Sequence, residues 1–239
     1  MEFSPPLVPA RLKCRYKRFL FDALLDTGEE ITGFCPNTGS MRGLTTAGSR
    51  IWLSRHDTAK RKYAHAFELI EADGVLVGVH AALANRLARE AIAAGLVSDL
   101  AHYETVRAEQ RMGESSRIDF KLSSPGRPDC YVEVKNVHFI RHKGLAEFPD
   151  TVTARGARHL EDLAQVARQG ARAVMLYVVQ REDCDRLALC GDLDPAYVRA
   201  FRAALAAGVE AYAVKCRVQP DQIIPFSPIA MDEAIMPLI

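Results

Sequence analysis

Asp119, Glu133 and Lys135 are the residues of this chain best suited to do chemistry together. They lie on two short segments, Arg117–Leu122 and Tyr131–Lys135, in which apolar and polar residues alternate as in a strand buried on one face. The run Ser123-Ser124-Pro125-Gly126-Arg127-Pro128-Asp129 between them consists of turn formers, so the pair reads as a β-hairpin. Centred on Gly126, that hairpin sets Asp119 opposite Glu133 and projects Glu133 and Lys135 from one face. Facing carboxylates repel unless a cation lies between them. Mg²⁺ keeps several waters and commonly takes only one or two protein carboxylates. Asp119 and Glu133 supply those, and Lys135 supplies an ammonium that can orient a water or neutralise charge on a phosphate. The backbone carbonyl of Val134 or Asn136 is a candidate further ligand, and Glu90, on a preceding helix, a candidate further acid. The same residues also fit a plain ladder in which Asp119 pairs with Lys135 and Arg117 with Glu133, worth about 0.2–1 kcal/mol a pair. A one-residue register slip would separate the acids altogether.

The elements that must hold this hairpin divide the chain in two. Up to about residue 80 the pattern is β-rich, with strands expected over Arg11–Leu25, Glu30–Cys35, Ser49–Ser54, Tyr63–Glu71 and Val75–His80, separated by Asp-Thr-Gly, Asn-Thr-Gly and Asp-Gly turns. Five such strands suit a small oligonucleotide-binding (OB) type barrel. Helical spacing then appears at Asn85–Ala94, Ala154–Gln169 and Pro195–Ala207, each stopped by a glycine, with strands at Arg172–Gln180 and Glu210–Arg217. That order describes an α/β domain with a mixed sheet. The expected division is residues 1–82 for the barrel and 83–239 for the α/β domain.

Composition fits a soluble protein with a substantial core: 239 residues, 49% of them apolar. No apolar run approaches the roughly 18 residues of a membrane span, and Met1–Pro9 lacks the pattern of a signal peptide, so a cytoplasmic location and no membrane partner are expected. The six cysteines are scattered without a C-x-x-C pair, which points to reduced thiols rather than zinc or disulfides. A net charge of +1 hides an uneven distribution. Arg11, Lys13, Arg15, Lys17 and Arg18 crowd one segment and Lys60-Arg61-Lys62 another, while Asp232 and Glu233 stand in a tail without bases. Local basic fields attract polyanions. A solvated edge strand guarded by its charges is the plainer explanation of the first cluster.

Other positions are suited to nucleic acid. The loop Pro36-Asn37-Thr38-Gly39-Ser40-Met41-Arg42 offers polar donors, glycine and a base near a phosphate, as a plain turn also does. Arg155 and His159 are one helical turn apart on one face of the helix after the Glu-x-Lys strand, candidates to meet a phosphate or a groove, although His159 taken alone reads more plainly as a surface histidine. Tyr16, Phe19 and Trp52 are candidate stacking platforms or core aromatics.

Over nearly its whole length the chain resembles the sugar fermentation stimulation protein A (SfsA) family. The resemblance is carried by Leu7-Val8-Pro9-Ala10-Arg11, Tyr16-Lys17-Arg18-Phe19, Cys35-Pro36-Asn37-Thr38-Gly39-Ser40-Met41, Lys62-Tyr63, Asn85, Ser116-Arg117-Ile118-Asp119-Phe120, Tyr131 to Val137, Phe148-Pro149-Asp150, Thr153-Ala154-Arg155-Gly156 and Asp194-Pro195. It implies an amino-terminal OB-like barrel joined to a restriction-endonuclease-like PD-(D/E)xK domain, with Asp119, Glu133 and Lys135 matching the nuclease motif. The chain departs from the family pattern at Ser115, at Arg158 in place of a lysine, and around Leu187–Cys190. Two functions follow as expectations. One is a Mg²⁺- or Mn²⁺-dependent phosphodiesterase on DNA, using Asp119, Glu133, Lys135 and Glu90, with Asp119 and Glu133 on the metal and Arg15, Lys17, Arg18, Asn37, Thr38, Arg42, Lys62, Arg117, Arg155 and Arg158 on the nucleic acid. The other is a non-catalytic DNA-binding regulator linked to sugar (maltose) metabolism genes. A homodimer is a further expectation, since many nuclease-fold proteins pair to cut two strands.

Overall fold

The computed structural model describes residues 1–56, 62–112 and 116–232. Lys60, Arg61, Ser115 and Glu233, named above, lie outside them. The first sheet contains β1 (Val8–Tyr16), β2 (Leu20–Leu25), β3 (Glu30–Phe34), β4 (Arg50–Arg55), β5 (His65–Ala72) and β6 (Val75–Gly78). Its order is β3-β2-β1-β4-β5-β6, and a parallel contact of β3 with β5, Phe34 against Ala66, closes the first five strands into an OB barrel. The inward residues of alternating strands, among them Leu12, Phe21, Ile51, Leu53, Phe67 and Ile70, fill it. The stretch expected as one strand over Arg11–Leu25 is a hairpin, turned at Lys17 and Arg18, whose φ angles of 50° and 65° are left-handed. β1 is no edge strand: it is paired on both sides, with β2 and β4.

The second unit opens with α1 (Leu83–Ala93). It continues through β7 (Thr105–Met112), β8 (Ser116–Ser123), β9 (Cys130–Val137), β10 (Phe139–His142), β11 (Gly144–Phe148), α2 (Ala154–Arg168), β12 (Arg172–Val179), β13 (Cys184–Leu189), α3 (Pro195–Ala206), β14 (Glu210–Val218) and β15 (Ile223–Met231). The strands form one mixed sheet, β10-β11-β13-β15-β14-β12-β9-β8-β7. β12 runs parallel to both β9 and β14, in the buried centre of the sheet. One face packs Val132, Val174, Leu176 and Val214 against Leu87, Ala88, Ala91 and Ile92 of α1. The other packs Met175, Tyr177 and Val179 against α2 and α3. Residues 1–3 cross to this unit, where Glu2 bridges to Gln222 and the Phe3 amide donates to the Asp221 carbonyl. No helix among the described residues is long and apolar enough to cross a membrane.

The two units are bonded together beside the carboxylate hairpin. The Gly78 amide donates to the Gln180 carbonyl at 2.8 Å, and the Gln180 side chain donates to Asn136 Oδ1 at 2.6 Å. The Met41 amide donates to Asp150 Oδ2 at 2.9 Å. Arg181, 1% exposed, bonds Asp183 and the His138 carbonyl and reaches Asp73 of the barrel. Inside the barrel, a Cβ at Gly33 would lie 2.2 Å from Phe21 Cζ and 2.9 Å from the His65 carbonyl. Gly33→Ala is therefore expected to cost about 1–3 kcal/mol by overpacking, read as a lower denaturant midpoint at unchanged slope; an unchanged midpoint would mean that the barrel end is not packed this way.

Candidate active site

Asp119 sits where two strands part. β8 and β9 pair at Leu122–Cys130, Lys121–Tyr131 and Phe120–Val132, the register of a hairpin centred on Gly126, and the ladder stops there, one position short of Asp119 and Glu133. The next inward donor on β9, the Val134 amide, is taken by Asp119 Oδ2 at 2.8 Å. A side-chain carboxylate thus replaces the backbone acceptor that a continued ladder would supply. Oδ1 accepts from Asn85 Nδ2 at 2.7 Å. Asn85 stands in the first turn of α1, one position from Ala84 in the buried stripe Ala84, Leu87, Ala88, Ala91 and Ile92. Packing of that stripe fixes the aim of the amide.

Glu133 and Lys135 project from β9 toward α2. Glu133, 4% exposed, accepts from Lys135 Nζ at 2.7 Å on Oε1, and the same oxygen meets His159 Nδ1. Lys135 Nζ lies 3.3 Å from His159 Nδ1, and Arg155 Nε is 3.2 Å from His159 Nε2. The helix carrying His159 is fixed at its start. Thr153 caps it by accepting from the Gly156 amide, and Asp194 accepts from the Thr153 amide while capping α3 at Tyr197. Gly156 lets α3 approach, since a Cβ there would meet Tyr197 Cε2 at 3.0 Å.

The carboxylates titrate in opposite directions. Burial, followed by the charge of Glu133, holds Asp119 above the ordinary aspartate range despite the bonds from Val134 and Asn85. Burial is also the largest single influence on Glu133 and raises it, but the His159 and Lys135 bonds and charges together hold it below the ordinary glutamate range. Two acids of opposite tendency on one sheet are the usual mark of a site rather than of a core. Two hard oxygen donors fit a Mg²⁺-type ion, which a repelled Asp119 would favour. Among the described residues no three His, Cys, Asp or Glu gather as a ligand cluster, so a zinc-type site is not built there.

The other expected residues are dispersed. Glu90, five residues beyond Asn85 and so about 140° round the helix, accepts from the Met1 amine at 2.8 Å and Arg86 Nε at 3.3 Å, away from the carboxylates. Arg15 reaches the Asn37 and Gly39 carbonyls at 2.8 and 2.9 Å, and Asn37 is buried, its amide bonding Val79 and the Gly39 amide. Both hold the 36–42 loop in shape. Thr38, Arg42, Lys62, Arg117, Arg155 and Arg158 are exposed, as are Lys17 and Arg18 at the β1–β2 turn. Sequence reasoning gave Asn85 no role, because an asparagine at the start of a helix pattern resembles any helix-start polar residue.

The closed OB barrel and the mixed sheet define a two-part fold, OB and restriction-endonuclease-like. Residues 14–79 match the family model described as the SfsA N-terminal OB domain, and residues 82–222 that described as the sugar fermentation stimulation protein RE domain. The chain belongs to the sugar fermentation stimulation protein family. It is 64% identical over 233 residues to the sugar fermentation stimulation protein homolog of Agrobacterium fabrum, covering 98% of each chain. It is 68% identical over 225 residues to that of Allorhizobium ampelinum, covering 94% of this chain and 96% of the relative. Among solved structures, Pyrococcus furiosus SfsA in complex with Ca²⁺ shares the fold, with a TM-score of 0.86 at 24% identity over 97% of this chain and 98% of that one.

The two shifts make opposite claims on stability. With its folded pKa above the unfolded value, ionised Asp119 costs stability in full above the folded pKa, and that cost is lost as pH falls from the folded pKa to the unfolded one. Glu133 contributes stability above its unfolded pKa and loses it as pH falls through the lower folded one. In chelator at pH 7–8, Asp119→Asn is expected to melt above the parent. Glu133→Gln should melt below it, by on the order of 1–3 kcal/mol for the ammonium left without its carboxylate. Both differences should shrink toward pH 3, and shifts of the same sign at neutral pH would contradict the split.

Proposed function

We infer that this protein is a Mg²⁺- or Mn²⁺-dependent phosphodiesterase acting on DNA. The observation that carries the reading is the pair of strand-borne carboxylates, Asp119 and Glu133, with Lys135 in the same cluster. Support also comes from the fold shared with a family member solved in complex with Ca²⁺. Asp119 and Glu133 would hold the ion, which when bound supplies an acidified water and charge neutralisation at the phosphate. The chain's own residues do the rest. Asn85 and the Val134 amide keep Asp119 aimed, and Lys135 places an ammonium where negative charge gathers on phosphorus. His159 holds Lys135 and Glu133 in register, and Arg155 extends the positive field toward the phosphate. Lys17, Arg18, Thr38, Arg42, Lys62, Arg117 and Arg158 present the exposed donors that attract and track the backbone. The division at residue 82 assigns binding mainly to the barrel and hydrolysis to the α/β unit.

A second reading, a DNA-binding regulator without turnover, draws on one feature: both oxygens of Asp119 and Oε1 of Glu133 already carry protein hydrogen bonds. The readings part on metal. With Mn²⁺ or Mg²⁺ the protein is expected to nick supercoiled plasmid or degrade single-stranded DNA, and not in EDTA. Asp119→Ala and Glu133→Ala should lose activity by at least about 100-fold while still binding DNA in a salt-dependent manner. Intact substrates under all metal conditions, or variants that cleave like the parent, would leave the regulator reading.

A further inference from the structure

Between the barrel and the start of α1 lies a cavity of about 600 Å³, within the roughly 300–1,000 Å³ of small-molecule sites. It contains none of Asp119, Glu133 and Lys135 and is distinct from the cluster described above. Its most unusual member is Glu68 on β5, a carboxylate with 4% exposure. Burying a carboxylate costs several kcal/mol unless it is well bonded. Glu68 Oε1 lies 2.7 Å from Ser54 Oγ, and Oε2 lies 2.7 Å from His80 Nδ1. Ser54 Oγ is also 3.0 Å from His56 Nε2.

The directions of these bonds follow from chemistry. An ionised carboxylate only accepts, so the Ser54 hydroxyl donates to Glu68 and its oxygen takes the proton of His56 Nε2. His80 Nδ1 donates to the other oxygen. The cluster therefore spends its donors on itself. It presents acceptors to the cavity: the second lone pairs of Glu68 and, in the neutral ring, Nδ1 of His56. A ligand seated there must bring N–H donors to its buried end.

The rest of the cavity differs in kind. Aromatic residues line it, including Phe34, 42% exposed at its lip, and Tyr63, whose ring lies 5.5 Å from Lys62 Nζ. Arg55, Lys62 and Arg86, the last also bonding Glu90 at 3.3 Å, outnumber the carboxylate of Glu2 at its rim and give it a positive field. Donors at one end, a flat apolar body and an anionic group at the other describe a nucleotide whose base carries an exocyclic amino group. We propose that the cavity binds such a nucleotide, Glu68 receiving the base amino group, Phe34 or Tyr63 stacking the ring, and the rim cations holding the phosphate. The nucleotide has two sources: a free mononucleotide, or one residue of a strand drawn out of its stack. The second has a geometric basis, because the first turn of α1 turns Arg86 to this cavity and Asn85 to Asp119, on a helix only about 10–12 Å across.

The test is calorimetric titration of the full chain, in EDTA, with dAMP, dCMP, dGMP and dTMP. The first three are expected to bind and dTMP to bind at least about tenfold more weakly. Phe34→Ala, at an exposed position that keeps the test independent of folding, should weaken binding about tenfold or more, as should Glu68→Gln, whereas Ile224→Ser should not. If the strand is the source, Phe34→Ala also weakens dA₁₂ more than dT₁₂; if the free nucleotide is, oligonucleotide binding is unchanged while mononucleotide binding falls. Absence of binding by all four mononucleotides together with oligonucleotide binding indifferent to Phe34→Ala overturns the proposal, and so does dTMP bound as well as the others. Cleavage, assayed separately with metal, reports on the carboxylate cluster alone.

Discussion

The site depends on one hydrogen bond, that from the Val134 amide to Asp119. Had β8 continued its ladder with β9, that amide would have gone to a backbone oxygen and Asp119 would have been one more residue on a closed sheet. Because the ladder stops at Phe120–Val132, β8 veers off while β9 stays paired with β12 through Val137. The two strands open like a fork with a carboxylate at the crotch. Satisfying the amide with a side chain keeps the opening from costing an unpaired buried donor. The same bond fixes Asp119 relative to Glu133, one residue earlier on β9. This coupling of backbone to side chain explains how an acid can be held in place despite the repulsion and burial that raise its pKa.

Around the fork, the surrounding structure fixes direction rather than adding charge. α1 contributes Asn85, aimed by an apolar stripe one residue away. α2 contributes His159 and Arg155, aimed by the double use of Asp194 at two helix starts. The barrel is bonded through Gln180 to Asn136, the neighbour of Lys135, which ties Gly78 at the end of β6 to β9. A site assembled from β8, β9, α1 and α2 in this way has little freedom to drift, which is the condition for electrostatic stabilisation to act.

Much of this was legible in the residues. The alternation in Arg117–Leu122 and Tyr131–Lys135, with Gly126 at the turn, was enough to set the hairpin register, because a period of two ties register to which face is buried. Glycines 95, 170 and 208 marked three helix ends, each two residues beyond the observed stop. β7 was harder to read: Val106, Ala108 and Met112 alternate with Thr105, Arg107, Glu109 and Arg111, but Ala108 and Gln110 make the apolar side weak, as an edge strand tolerates. β15 was hidden by Pro225 and Pro228, which argue against a strand inside a sheet. The basic run through Arg15 and the 36–42 loop read as a phosphate-binding face, yet Arg15 and Asn37 are largely spent on loop carbonyls and amides. Composition reports the presence of donors, and only the fold reports where they are used. The Ser54–Glu68–His80 cluster was invisible for a related reason: its members stand up to 26 positions apart and form no spacing motif.

The central claim is that Asp119 and Glu133 share a divalent cation. Anomalous diffraction from a crystal soaked in Mn²⁺ tests it most directly. The account predicts a single strong peak within about 2.0–2.3 Å of a carboxylate oxygen of each residue, absent from an Asp119→Ala crystal treated identically. A fully exchanged crystal with no density between the two carboxylates, or with Mn²⁺ bound elsewhere and both acids still held only by Asn85, Val134, Lys135 and His159, would contradict it.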